Sequence, residues 1–219
     1  MNGLLTVWEQ RRLFVEGFFN TISLVSVAAV VAMLLGAVLS ILLVNGGRVV
    51  RIGGRGLVDF FRSVPFLLLA YIVYYGLPTI GLRLPAWWAG LLTLIVYNSA
   101  YMAEVFRSAW LNLPREQVET GRAFGFAGVG LYRRIVFPQI ALASAPVVGN
   151  QLIIMIKDTA FLMIITVPEI TFAANFVNAN YFVPFAPFAL AMLLYWGLCL
   201  LVEFGVHRVG LAAAARRDV

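Results

Sequence analysis

Long stretches of this chain carry no charged side chain at all. They run over residues 17–47, 63–82, 84–103, 135–156 and 170–202, and a shorter one, 159–168, follows directly after Lys157 and Asp158. About 20 apolar residues in a helix cross the hydrocarbon core of a bilayer. Inside lipid the backbone must satisfy its own polar groups, which leaves helices or closed barrels. The alternating strands of about ten residues that build a barrel are absent, so helices remain. The expected fold is all-α and polytopic: about five transmembrane helices forming one membrane domain over residues 1–219.

Composition closes the other routes. The chain is 62% hydrophobic and 12% charged, against about 45–50% and about 25% in soluble domains. A core of this size could not hide that much apolar surface. Disordered chains lack such an apolar and aromatic content. Aromatics at 14% and 19 glycines suit interfacial rings and close helix contacts. One cysteine, Cys199, and one histidine, His207, give no disulfide framework and no Cys-based or multi-histidine metal site. No metal, cofactor or catalytic residue is expected.

The formal charge of +6 is distributed by side. Arg48, Arg51, Arg55 and Arg62 flank the second run against Asp59 alone. Arg107, Arg115, Arg122, Arg133 and Arg134 lie between the third and fourth runs, and Arg208, Arg216 and Arg217 in the tail. The connection after the second run has only Arg83, and 170–183 has no charge. Basic connections stay cytoplasmic. The expected topology therefore has the N-terminus outside, the C-terminus in the cytoplasm and an uncleaved first span. The basic excess is topological, which leaves no soluble basic face for nucleic acid. The glycines at 46–47 and 53–56 sit in an arginine-rich stretch and read as a flexible loop.

The longest cytoplasmic connection, about 107–138, holds a further element. Pro114 suits a first helical turn, Arg115–Phe124 reads as a short helix and Gly125 as its end. Such a helix is too short and charged to cross. It is either a surface helix at the interface or a knob that docks into a partner's groove. Glu119-Thr120-Gly121 is followed after three residues by Gly125, and after nine more by Ile135-Val136-Phe137-Pro138. This pattern resembles the coupling motif of ABC-importer permeases: Glu-Ala-Ala, three residues, Gly, nine residues, Ile-x-Leu-Pro. The glutamate, glycine, isoleucine and proline match in register, while Thr120, Gly121 and Phe137 depart from it.

The resemblance extends along nearly the whole chain. Asn98-Ser99-Ala100-Tyr101-Met102-Ala103-Glu104-Val105-Phe106-Arg107, Leu113-Pro114, Gly149-Asn150-Gln151, Lys157-Asp158-Thr159 and Val167-Pro168-Glu169 resemble blocks of the polar amino-acid branch of these permeases. Phe61-Arg62-Ser63-Val64-Pro65 resembles its Phe-Arg-Gly-Thr-Pro block, with Ser63 and Val64 as departures that bear on the substrate. The resemblance implies a type I importer permease of the bacterial inner membrane. It implies pairing with a second permease copy or a homologue, a dimer of ATP-binding subunits below, and a periplasmic solute-binding protein above. Arg115, Glu119, Arg122, Phe124 and Gly125 would couple to the ATPase. The solute would be a polar or charged amino acid or a relative of one. A P-loop needs Gly-x-x-x-x-Gly-Lys-Ser/Thr to hold phosphates. The single lysine, Lys157, follows Ile156, so ATP hydrolysis is expected on another chain.

Lys157 and Asp158 interrupt an apolar stretch, where each charge costs about 2.5–3.5 kcal/mol on insertion scales. Helix neighbours do not face one another, which disfavours a mutual pair. Each either pairs with a neighbouring helix and locks the fold, lines the substrate pathway, or snorkels. Gln151 lies seven residues from Asp158 and shares its face. Gln151, Lys157, Asp158 and Thr159 form the candidate pathway lining. Glu104 with Arg107, and Asp59 with Arg62, read as cross-helix bridges. Pro138 and Pro146 are expected to kink or break the fourth span. Trp87, Trp88, Trp110, Tyr181 and Tyr195 read as belt or packing residues. An alternative of another class is a secondary transporter that relays an ion through Lys157 and Asp158.

Overall fold

A computed structural model describes the backbone of residues 3–215, and side chains as far as Arg208. Arg216 and Arg217 of the tail lie outside the described residues. The helices are α1 (Gly3–Glu9), α2 (Arg11–Asn45), α3 (Arg48–Ser63), α4 (Phe66–Tyr71), α5 (Ala86–Leu111), α6 (Arg115–Ala123), α7 (Gly128–Leu131), α8 (Phe137–Asp158), α9 (Ile170–Tyr181) and α10 (Phe185–Ala215). Four helical stretches among the described residues are long and apolar enough to cross a membrane: Arg11–Asn45, Ala86–Leu111, Gly128–Ile165 and Phe185–Arg208. Counting the bent pair Arg48–Ser63 and Phe66–Ile80 as one crossing gives five.

The stretch 48–62, expected as a flexible loop, is instead helix α3. Its glycines lower helix propensity, but packing of one face overrides that prior. Val58 is buried with Leu43, Ala100 and Ala103. The chain then turns by 100° into α4. Pro65 causes the turn, since the residue before a proline is pushed out of the helical region, and Val64 is extended at φ −83°, ψ 136°. Beyond α4 the helix widens to a π turn, Ile72–Gly76, and tightens to a 3-10 turn, Leu77–Ile80.

The run 170–202, expected as one span, is two helices. Phe182, in the left-handed region at φ 54°, ends α9, and Pro184 precedes α10. Nor does either proline break the fourth span. Pro138 closely follows a π turn, Tyr132–Val136, that runs into α8 without a break, and α8 continues through Pro146.

Close packing follows small residues. Ala28, Ala32, Gly36 and Ser40 recur every fourth position on the buried face of α2. A Cβ at Gly36 would collide with Met102 and with the Ala103 nitrogen of α5. Without a hydrophobic drive between helices in lipid, such small-residue stripes let backbones approach and gain dispersion contacts. The main core lies where α2, α4, α5 and α8 meet, around Leu24, Phe66, Leu94, Met155 and Leu162. A second cluster joins α9 and α10 to the first half of α2 around Phe14, Ile170, Val177 and Leu198.

Candidate functional site

The short helix between α5 and α8 is built from glycine geometry. Helix α6 ends in a Schellman turn: Gly125 N–H donates to the Arg122 carbonyl at 2.9 Å and Phe126 N–H to the Gly121 carbonyl at 3.1 Å. The turn needs a left-handed residue, and Gly125 supplies it at φ 84°. Gly121 is buried, and a Cβ there would run into Ile135 and Leu131. The Val118–Gly121 side of α6 therefore presses on the segment leading to α8. Arg115, Glu119, Arg122 and Phe124 are exposed, Phe124 at 80%. A cleft of about 380 Å³ opens beside them, lined by Trp110, Arg115, Val118, Glu119, Arg122 and Tyr132. Trp110, Tyr132 and Phe137 pack with centroids 5.8–6.1 Å apart, so the base of the knob is tied to the ends of α5 and α8.

The four residues expected on the pathway divide into two kinds. Gln151 is buried and donates to the Asn98 side-chain oxygen at 2.9 Å, which pins α8 to α5. Thr159 is buried, donates to the Ile156 carbonyl at 2.7 Å and lies 3.5 Å from the Tyr195 hydroxyl. These two are occupied inside the bundle. Lys157 is exposed, Asp158 is partly exposed, and neither has an ion-pair partner among the described residues.

Asp158 leads into a 3-10 turn, Thr159–Ile165, where residues three apart eclipse. Phe161 therefore stands on the same side as Asp158. It packs on Phe66 at 6.5 Å, and Phe66 meets Tyr97 edge-on at 5.3 Å. Tyr97 and Tyr101 bring their hydroxyls to 3.3 Å, and Tyr101 donates to the Arg62 carbonyl at 3.1 Å. The result is an unpaired carboxylate beside a wall of rings from α4, α5 and the 3-10 turn. Tyr97, Tyr101 and Phe161 were missed as site residues. The signal was the four-residue spacing of the two tyrosines.

The expected cross-helix salt bridges are local instead. Arg107 clasps Glu104 through two bonds of 2.6 and 2.7 Å on one helix face, and Arg62 lies 3.8 Å from Asp59 three residues away. Glu169 is a second omission. It is fully buried, and its carboxylate accepts from Phe172 N–H at 2.6 Å and Thr171 N–H at 2.8 Å, capping α9. It also accepts from the Tyr195 hydroxyl of α10, so Tyr195 is a hydrogen-bonding clamp as well as a packing residue. Helix α2 closes over this cap: Asn20 donates to the Pro168 carbonyl at 2.9 Å, and Gly17 leaves no room for a Cβ against the Glu169 carbonyl.

Residues 28–210 match the family described as binding-protein-dependent transport system inner membrane component. The chain belongs to this family. It is thus a multi-pass permease component of the inner membrane. An ion-gradient carrier built on Lys157 and Asp158, the alternative open from sequence, does not fit that membership. The chain is similar to the probable glutamine ABC transporter permease protein GlnM of Bacillus subtilis (strain 168), 27% identical over 201 residues, covering 92% of this chain and 93% of the relative. It is 35% identical over 171 residues to the octopine transport system permease protein OccM of Rhizobium meliloti, covering 70% and 68%. The fold is similar to a chain in the crystal structure of an amino acid ABC transporter, with TM-score 0.87 at 23% identity, covering 95% of this chain and 97% of that one. It is also similar to the inward-facing MetNI methionine ABC transporter, with TM-score 0.76 at 19% identity, covering 93% and 97%. The binding-protein-dependent component thus has the type I ABC-importer permease fold, all-α and polytopic.

Proposed function

We propose that this chain is the membrane-spanning permease of an ATP-driven importer for a polar or charged amino acid or an amino-acid-like solute. The solute arrives on a periplasmic binding protein. ATP is hydrolysed by a dimer of separate ATP-binding subunits, and a second permease copy or a homologue completes the pathway. The N-terminus lies outside and the C-terminus in the cytoplasm. The observation that carries the reading is α6, a charged helix seated closely on Ile135 and Leu131 through Gly121, with a bare phenylalanine at its tip. An exposed large aromatic beside charges suits a protein partner's groove better than water. Arg115, Glu119, Arg122, Phe124 and Gly125 form the coupling surface.

On the pathway, Asp158 and the rings of Tyr97 and Tyr101 receive the solute's ammonium group. An ion pair and ring faces together replace part of the water that a cation loses. Gln151 and Thr159 hold the walls in place, and Lys157 stands beside them for the solute's carboxylate. The test is uptake of labelled amino acids into vesicles holding this chain and its ATP-binding partner. Uptake is expected only with ATP on the ATPase side and binding protein on the other. Equal uptake without the ATPase refutes the reading.

A further inference from the structure

Helix α3 has three distinct sides, and the bundle covers one of them. Val58 is buried against α2 and α5, Phe61 packs beside it, and a Cβ at Gly54 would meet Leu43 at 2.8 Å. A second side carries Val49, Leu57 and Phe60, which are 85%, 52% and 59% exposed. On a helical wheel this side lies opposite a third, where Arg48, Arg51, Arg55 and Arg62 recur at three- and four-residue steps with Asp59. Arg62 has Asp59 at 3.8 Å and the Tyr101 ring beneath it at 5.5 Å. Arg48, Arg51 and Arg55 have no carboxylate partner among the described residues.

We propose that α3 is a docking surface for acidic phospholipids, lying in the headgroup layer with Val49, Leu57 and Phe60 in the acyl region. The 100° turn at Pro65 sets α3 across the direction of Phe66–Ile80, so it lies near the membrane plane when that segment crosses. Its height fits, since it packs where α2 ends at Asn45. An apolar side opposite a basic stripe is what an interfacial helix presents to a charged leaflet. Charge selects this occupant over the alternatives. A second copy covering Val49, Leu57 and Phe60 would leave the arginine stripe on the opposite side without counter-charge. Nucleic acid would leave Leu57 and Phe60 uncovered. Acidic headgroups answer the arginines, and acyl chains answer the apolar side.

The consequence reaches the bundle interior. Tyr101 donates to the Arg62 carbonyl, so the end of α3 is bonded to the tyrosine pair on α5. A lipid that holds α3 also holds that end of the aromatic wall.

The test uses the full-length chain in nanodiscs of phosphatidylcholine with a trace of spin-labelled phosphatidylglycerol or spin-labelled phosphatidylcholine. The quantity read is the preference of motionally restricted lipid for phosphatidylglycerol. Wild type should prefer it, and the Arg48→Gln/Arg51→Gln/Arg55→Gln variant should lose roughly fivefold per arginine at low salt. The matching lysine variant should retain it. In wild type and in the lysine variant the preference should collapse as salt rises and the Debye length shortens to about 3 Å at 1 M. A salt-insensitive preference, or one equal in the glutamine variant, overturns the proposal. So does efficient disulfide cross-linking between copies through Leu57→Cys in a Cys199→Ser background, since that would place protein on this side.

Discussion

Two carboxylates in the same stretch of chain sit in opposite surroundings. Glu169 is enclosed, and its oxygens are taken by Thr171 N–H, Phe172 N–H and Tyr195. Asp158 is partly exposed and unpaired among the described residues. Glu169→Ala removes a helix cap and strands a buried hydroxyl, so stability should fall by roughly 2–4 kcal/mol. A melting curve on purified protein would show this as an early transition. Asp158→Asn breaks no ion pair among the described residues and should melt near wild type while uptake falls sharply. Early melting with normal uptake per folded molecule would make Asp158 structural. Gln151→Leu should behave like the first group: it leaves the Asn98 side-chain oxygen unpaired and costs about 1–3 kcal/mol. The charges at 157–158 were legible because ions are costly in apolar sequence. The capping role of Glu169 was not, because it depends on where α9 begins after the left-handed Thr166, a break set by tertiary packing.

At the scale of elements, α6 was legible to within a residue, since Pro114 and Gly125 are local signals that need no tertiary context. Helix α3 was not. Its glycines mimic a loop, and only the buried Val58 and the three- and four-residue spacing of its arginines identify it. The division of 170–202 was hidden for a similar reason: both pieces are apolar, and hydropathy does not register a single left-handed residue at Phe182. Helix α6 is then the place to intervene without touching the spans. Gly125→Ala must hold a side chain at φ 84°, at a cost of roughly 1–2 kcal/mol to the local turn. Gly121→Val must push α6 off Ile135 and Leu131. Both should insert and fold, and both should lower the yield of ATPase co-purified with the chain, Gly121→Val more strongly. Undiminished association in Gly121→Val would show that the setting of α6 is immaterial.

For the whole molecule, arginine placement and helix count together give a topology. Reporters fused after Arg55 and Gly128 should read as cytoplasmic, and one near Asn178 as external; a cytoplasmic signal at 178 would overturn it. The α6 surface and the Asp158 wall lie on different parts of the bundle, joined through α8 and the 3-10 turn that follows it. A change at α6 would reach Asp158 through α8 and also through α5, whose Trp110 packs on Tyr132 and Phe137. The most direct test compares wild type, Glu119→Arg and Asp158→Asn in vesicles with the ATP-binding subunit and the binding protein, recording ATP hydrolysis and amino-acid uptake in the same sample. Wild type should couple the two. Glu119→Arg should lose uptake together with transport-linked hydrolysis, and Asp158→Asn should keep the ATPase bound while uptake falls. Uptake that persists without ATP, driven by an ion gradient and unaffected by Glu119→Arg, would contradict the assignment.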